Sequence, residues 1–493
     1  MSVPTSPDQW RGRRVVVLGL GVTGFAVADT LAELHAAVTV IAGHADPERV
    51  DVLSVVGAQT REIADPGATI EALEELEPEV VVVSPGYRPD SPIVQWVVAA
   101  GILLLSDIDV AWLLRELSPR PAEWICITGT DGKTTTTQLT AAMIEASGKR
   151  AAVCGNIGIP VLDRIRDPEG FDFLVVELSS FQLHYTNLLS PWSAACLNIA
   201  DDHIDWHGSK DAYVAAKAKV FHRVKKVCLY NADDPVTERL VEQADVVEGA
   251  RAVGFTLGAP GISMVGIVDG VLLDRAFIET RAHEAQEITT VEALADRGMG
   301  AQHLLADVLA ASALARSAGV TIADIQRALA QFHLGAHRIQ PVADIAGVLY
   351  IDDSKATNSH SANAALEAFD SIVWIVGGLL KGVDITPLVE QNASRLRGAV
   401  VIGVDQQPVL DALRRHAPDV PIIAIDPGET GVMDAAVEAA ASLAQSGDVV
   451  LMAPAAASMD QFRDYADRGQ AFVDAVRIRE TGGHTDGASS SVL

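Results

Sequence analysis

Short apolar runs alternate with stretches of helical period from one end of the chain to the other. The run from Arg13 to Leu18 reads as a buried strand, and FAVADTLAELHA after it has apolar positions at helical spacing. The runs VTVI and VVVV predict two further strands of the same kind. Two prolines in Ser118-Pro119-Arg120-Pro121 then interrupt the pattern and mark a boundary. From Ala122 to Leu334 the alternation resumes, with strands at Trp124 to Ile127, in AAVC, from Phe173 to Val176 and from Ala194 to Ile199, as in a parallel sheet. Within that region Val246 to Val291 carries only short alternating segments and predicts a small β-rich flap, before LLADVLAASALARSAG and TIADIQRALAQF close it as helices. A third unit begins near His337-Arg338 and sets VLYID, SIVWIV, AVVIG, PIIAI and DVVLMA between helical patterns, which describes a doubly wound sheet. After Glu480 the sequence TGGHTDGASSSVL is poor in apolar residues and predicts a disordered tail.

The fold class is therefore α/β, and 493 residues are too many for one core. The expected division is 1–119, 120–335 and 336–480, with 481–493 as the tail. Four dispersed cysteines without C-x-x-C spacing read as reduced core residues, and the N-terminus lacks the apolar core of a signal peptide. Neither fact points to secretion, and no apolar run is long enough to span a membrane; a cytoplasmic location follows. A formal net charge of -28 excludes nucleic acid or an anionic membrane as the main partner. A bound nucleotide must then be received locally, by helix N-termini, Mg²⁺ and a few basic side chains.

The strongest chemical signal is WICITGTDGKTTTT, Trp124 to Thr137. Strand, glycine turn and helix start coincide there, which is the plan of a phosphate-binding loop. Gly129 and Gly132 let backbone N–H groups approach phosphate, Lys133 can reach the β- and γ-phosphates, and the Thr134 hydroxyl can ligate Mg²⁺. The longer G-x-x-x-x-G-K-[ST] pattern would need glycine where Ile127 stands, so this is a shorter relative. Gly19, Gly21 and Gly24 spell G-x-G-x-x-G between a strand and a helix, the dinucleotide fingerprint. Its acidic partner is missing after VTVI, where Ala42 and Gly43 stand; phosphate or pyrophosphate held without that ribose contact remains open. Ser84-Pro85-Gly86-Tyr87-Arg88 is either a second phosphate-contacting turn or a plain proline-rich loop.

Three segments sit where the carboxyl ends of parallel strands gather ligands: Gly155-Asn156-Ile157-Gly158, the stretch from Glu177, and the stretch from Asn198 to His207. Glu177 is favoured as a metal ligand, because a phosphate loop needs a Mg²⁺ partner. His203 is either a ligand or a helix-capping histidine, since Mg²⁺ prefers oxygen. Lys217, within YVAAKAKVFHRV, reads on pattern alone as a solvated lysine.

Taken in order, GLGVTG, SPG, GTDGKTT, GNIG, ELSSFQL, LNIADDHIDWH, YVAAK, NADDP, HRI, DDSKATN, GGLLKG and APAAASMDQF resemble the Mur ligases over nearly the full length. Within that family they are most similar to the D-glutamate-adding branch. The resemblance implies a three-domain architecture: a Rossmann-like N-terminal domain for the UDP-sugar, a central ATP-binding domain, and a Rossmann-like C-terminal domain for the amino acid. It implies ATP-driven amide synthesis, in which the carboxylate of UDP-MurNAc-L-Ala becomes an acyl phosphate that the amine of D-glutamate attacks. Gly129, Thr130, Asp131, Gly132, Lys133, Thr134, Thr135, Arg338 and Asp353 would then face ATP. Gly19, Gly21, Thr23, Gly24, Ser84, Gly86, Asn156 and Ser179 would face the UDP-sugar, and Thr357, Lys381, Ser458 and Tyr465 would surround D-glutamate. Lys133, Glu177, His203 and Lys217 would be catalytic; Thr134, Glu177, His203 and a CO₂-derived carbamate on Lys217 would hold two Mg²⁺ ions. A monomer is expected.

Three positions depart from the family pattern. Ala42 or Gly43 stands near where an acid would meet uracil, Asp131 replaces a common asparagine in the phosphate loop, and His303-Leu304-Leu305-Ala306-Asp307 replaces both asparagines of an adenine-side H-N-x-x-N motif. Competing readings are a sister or folylpolyglutamate-type ligase with another amino acid, and a non-catalytic paralogue that binds nucleotide or UDP-sugar.

Overall fold

The computed structural model describes residues 3–482. Three sheets carry the fold. The first is fully parallel and runs Gln59–Glu62, Ala37–Ala42, Arg14–Leu18, Val80–Val83, Leu103–Ser106 across its width. Its middle strand is buried on both faces. Val15 and Val17 join one apolar cluster, and Val16 and Leu18 join the other, which is why the run is continuously apolar. The strand order reverses between Arg14–Leu18 and Val80–Val83, and the Gly19 and Ser84 turns both leave from that switch point.

The second sheet has nine strands. Ala151–Gly155, Phe173–Glu177, Glu123–Thr128, Ser193–Cys196, Val227–Asn231, Arg251–Phe255 and Met264–Val268 are parallel neighbours in that order. Val271–Asp274 and Gln286–Thr290 then add antiparallel. The expected flap is thereby corrected: its strands extend the central sheet, because the edge offered by Val227–Asn231 is a better partner for short apolar strands than water. All four cysteines are free, buried and within strands of this sheet.

The first two sheets and their helices form one compact unit ending at Phe332, and His333 begins a second. One apolar cluster spans both sheets of the first unit, with Trp112 and Trp124 edge to face at 5.1 Å between ring centroids. The second unit holds the third sheet, ordered Gln340–Ile345, Val348–Asp352, Val449–Met452, Ile372–Gly377, Leu396–Ile402, Ile422–Ala424. It is parallel except for its first, antiparallel edge strand. Ile372, Trp374 and Val376 enter one cluster and Val373 and Ile375 the other, so helices cover both faces. The last helix, Tyr465–Gly482, continues two residues past the expected start of the tail; 483–493 lie outside the described residues. No helix among the described residues is long and apolar enough to cross a membrane.

Candidate active site

Strand Glu123–Thr128 delivers the chain into the phosphate loop, and helix Lys133–Ala146 leaves it. Gly129 and Gly132 have φ of 153° and 76°, which side chains with a Cβ resist. At Gly132 a Cβ would also stand 2.2 Å from Asp307 Oδ1. The loop is latched from the neighbouring strand end by Asn198, which the sequence placed in a ligand-gathering segment without giving it this role. The Thr130 N–H donates to the Asn198 backbone oxygen (3.0 Å) and to its Oδ1 (2.9 Å), and the Asp131 N–H donates to the same Oδ1 (2.8 Å). Asn198 Nδ2 returns a bond to Asp131 O at 3.2 Å. The N–H groups of Thr130 and Asp131 therefore shape the loop, and those at the first turn of Lys133–Ala146, without intrahelical partners, are the ones aimed at an anion. Lys133 is folded back, its Nζ donating to Thr130 O at 2.6 Å.

Lys217 is the main surprise against the sequence. Its helix, Lys210–Ala218, turns Tyr213, Ala216 and Lys217 inward, and the lysine is 2% exposed. Nζ donates to Gly129 O at 2.6 Å and to Thr128 Oγ1 at 3.3 Å, directly behind the phosphate loop. Burial, reinforced by the charge of Lys133, lowers its ammonium pKa from the usual 10.5 to about 7.

Glu177 ends strand Phe173–Glu177, in register with Ile127 of the strand that feeds the loop, and is 1% exposed. Its Oε1 accepts from Asn156 Nδ2 at 2.8 Å, and the Asn156 N–H donates to Glu177 O at 2.8 Å. Two residues assigned separately by sequence are thus one pair. Gly155 makes this approach possible, since a Cβ there would lie 2.3 Å from Glu177 O. Glu177 Oε2 is buried with no hydrogen-bond partner. Ser179 caps the next helix, Ser180–Tyr185, in a reciprocal box with Gln182. His203 has φ of 52°, stands 3.4 Å from Asp202 Oδ2 and packs on Phe181 with ring centroids 4.6 Å apart, close to that same helix.

Among the described residues no three His, Cys, Asp or Glu side chains group to hold a metal by themselves. The donor set nevertheless suits Mg²⁺: a hydroxyl at Thr134, phosphate oxygens and the unsatisfied, buried Glu177 Oε2, all oxygen. Asp307, one of the departures, is buried against the loop and accepts from Thr136 Oγ1 at 3.2 Å, while Leu304 is packed in the core.

In the N-terminal sheet, Gly19 and Gly24 are required by contact. A Cβ on Gly24 would lie 2.1 Å from Gly19 O, and one on Gly19 would lie 2.7 Å from Ser84 Oγ. The Ser84 hydroxyl is buried without a hydrogen-bond partner beside this turn. Thr23 is half-buried in the first turn of helix Val22–Glu33, and Gly21 and Gly86 are exposed. Arg88, considered for phosphate, is instead forked onto Asp90, with both bonds at 2.9 Å.

In the second unit, adjacent strands Val348–Asp352, Val449–Met452 and Ile372–Gly377 release their loops at one edge. Asp353 and Thr357 follow the first, Ser458 the second and Lys381 the third, and Leu379 pairs with Ala457 across two of these loops. Asp353 is buried, accepts from the Ile339 N–H at 3.2 Å, and its carboxyl is pushed up to about 8 by burial, with Arg338 opposing. Lys381 is exposed at φ 53°. The Tyr465 ring faces Lys355 Nζ at 3.7 Å, and its carbonyl accepts from Ser354 Oγ at 2.7 Å. Arg468, also missed by sequence, is 1% exposed and staples these loops: Nε to Ser354 Oγ (3.0 Å), Nη2 to Ser354 O (2.9 Å) and Nη1 to Ala456 O (3.1 Å).

Family models match along the chain: "Mur ligase MurD-like, N-terminal domain" at residues 13–106, "Mur ligase middle domain" at 127–264, and "Mur ligase, glutamate ligase domain" at 337–456. A UDP-N-acetylmuramoylalanine–D-glutamate ligase of Leifsonia xyli subsp. xyli is 55% identical, covering 98% of this chain and 96% of that protein. One of the same name from Streptomyces avermitilis is 48% identical, covering 95% and 98%. The solved UDP-N-acetylmuramate–alanine ligase of Thermotoga maritima shares the fold at 17% identity and a TM-score of 0.56, covering 94% of this chain and 99% of that one.

Proposed function

The chain belongs to the Mur ligase family, and on that premise we propose that it uses ATP to join D-glutamate to UDP-N-acetylmuramoyl-L-alanine, a step in peptidoglycan precursor synthesis. The observation that carries the chemistry is the head of the central sheet, where a phosphate loop adjoins a buried carboxylate with one unsatisfied oxygen. The proposed domains are three, 1–119 for the UDP-sugar, 120–335 for ATP and 336–480 for the amino acid, each built around one of the three sheets. The protein acts as a cytoplasmic monomer on three small molecules.

A carboxylate is a poor electrophile, so the L-alanyl carboxylate takes the γ-phosphoryl group first; the amine of D-glutamate then attacks the acyl phosphate and phosphate leaves. Lys133 exchanges the Thr130 carbonyl for the β- and γ-phosphates when ATP enters, while the helix N-terminus receives the remaining charge. Thr134 and Glu177 would hold Mg²⁺, with His203 at a second ion, and the metal would supply charge neutralisation for the transferring phosphoryl group. Lys217 has a substantial neutral fraction near pH 7, the form that adds CO₂ with loss of a proton, and as a carbamate it would offer an oxygen to the metal. Asn156 and Ser179, with the Gly19, Gly24 and Ser84 turns, position the UDP-sugar. Arg338 and Asp353 face ATP, and Thr357, Lys381, Ser458 and Tyr465 receive D-glutamate, Lys381 pairing with a carboxylate. The test is mass spectrometry of the product from UDP-MurNAc-L-Ala, ATP and D-glutamate. A gain of one glutamyl residue supports the reading; unchanged substrate refutes it.

A further inference from the structure

At the seam between the first and second sheets, strand Leu103–Ser106 runs straight into helix Asp107–Leu114, and this junction grips the helix that follows Glu177. Asp109 accepts from the N–H groups of Asn187 (2.9 Å) and Leu188 (2.8 Å), and Ser106 Oγ meets Thr186 Oγ1 at 3.1 Å. Those contacts, side chain to backbone and hydroxyl to hydroxyl, fasten the end of the helix to the junction. Asp107 does something different. It is 8% exposed, its Oδ1 is buried without a partner, and its Oδ2 accepts from Gln182 Nε2 at 3.2 Å. Burial raises its carboxyl pKa to about 6, so it is mainly a carboxylate at neutral pH.

Gln182 is buried too, and its other end, Oε1, accepts from the Ser179 N–H at 3.2 Å and from Ser179 Oγ at 3.3 Å. A primary amide has one donor end and one acceptor end, whereas a carboxylate only accepts. Asp107 and the Ser179 N–H, an acceptor-only group at one end and a donor-only group at the other, together set which way round Gln182 lies. With Nε2 drawn to Asp107, Oε1 must face Ser179 and takes its hydroxyl proton. Ser179 Oγ also accepts the Gln182 N–H at 3.2 Å, which leaves one lone pair and no proton for anything else.

We propose that Asp107 is a positioning residue for the UDP-sugar substrate: acting through Gln182, it makes the Ser179 hydroxyl an acceptor, matched to an amide N–H of UDP-MurNAc-L-Ala. This rests on the reading of Ser179 as a contact for that substrate. The relay also ties substrate recognition beside Glu177 to the N-terminal sheet, because its first member sits at the end of one of that sheet's strands.

The experiment is steady-state kinetics on the full chain with Asp107→Asn, varying each substrate in turn. The substituted amide can meet Gln182 with either end, so only the Ser179 N–H still holds the Gln182 amide and the polarity of the Ser179 hydroxyl is loosened. The KM for UDP-MurNAc-L-Ala rises about five- to tenfold, the loss of one well-placed hydrogen bond, with kcat and the KM values for ATP and D-glutamate within about twofold. Gln182→Met, which removes the middle of the relay and leaves the carboxylate, gives the same split. Unchanged KM in both variants, or a rise in all three KM values together, overturns the proposal while leaving the ligase reading intact. A wild type with no turnover refutes the ligase reading and the proposal with it.

Discussion

Lys217 Nζ lies 2.6 Å from the carbonyl oxygen of Gly129, so the one lysine buried behind the phosphate loop is bonded to the loop itself. Its amine pKa falls from the usual 10.5 to about 7, chiefly through burial. The unfolded chain therefore binds more protons than the folded one between about pH 7 and 10.5, and folding stability rises with pH across that window. Below pH 7 the cost of burying the amine is fully present. In CO₂-free buffer, raising the pH from about 7.5 to 9 shifts stability by about 1–2 kcal/mol in favour of wild type relative to Lys217→Met. Denaturant unfolding of the two proteins at each pH checks this, and parallel pH profiles would contradict it.

Asn198 makes four hydrogen bonds to the backbone of Thr130 and Asp131. Asn198→Ala keeps the Thr130 N–H bond to the backbone oxygen but removes the three side-chain bonds, leaves the Asp131 N–H unpaired, costs about 1–3 kcal/mol and frees the loop from its working shape. The KM for ATP rises about tenfold, and ATP titration in the same assay reads it. An unchanged KM for ATP would mean that the latch is dispensable to nucleotide binding.

Arg468→Lys keeps a charge but loses the planar fork that reaches Ser354 and Ala456 together. We expect a loss of about 2–4 kcal/mol, felt locally in the second unit. Hydrogen exchange at residues 353–358 and 453–458 speeds up, while the phosphate loop keeps its protection. Uniform acceleration over the whole chain would contradict a local staple.

Most strands and the glycine turns were legible in the sequence for a shared reason: each is local. Continuous apolar runs announce strands buried on both faces, and glycine at Gly129 or Gly24 announces a backbone that a Cβ would block. The partners of Lys217, Asn198 and Arg468 were not legible, because each is a polar group bonded to residues far along the chain. A signal existed for two of them. Lys217 falls on the inward stripe of Tyr213, Ala216 and Val220, and Arg468 on that of Phe472 and Val476, and a charge at helical spacing within an apolar stripe marks a buried, partnered group. The strands of the expected flap were recognised, but pairing is long-range, and nothing in Arg251–Phe255 or Met264–Val268 alone says that they join the central sheet.

The decisive measurement is phosphate release from ATP with UDP-MurNAc-L-Ala, comparing D-glutamate, L-glutamate and no amino acid, in wild type and Lys133→Ala. Release requires D-glutamate and falls by at least about a hundredfold in the variant, as loss of a phosphate-binding charge demands. Release that is indifferent to the amino acid, or that survives in Lys133→Ala, would contradict the ligase reading.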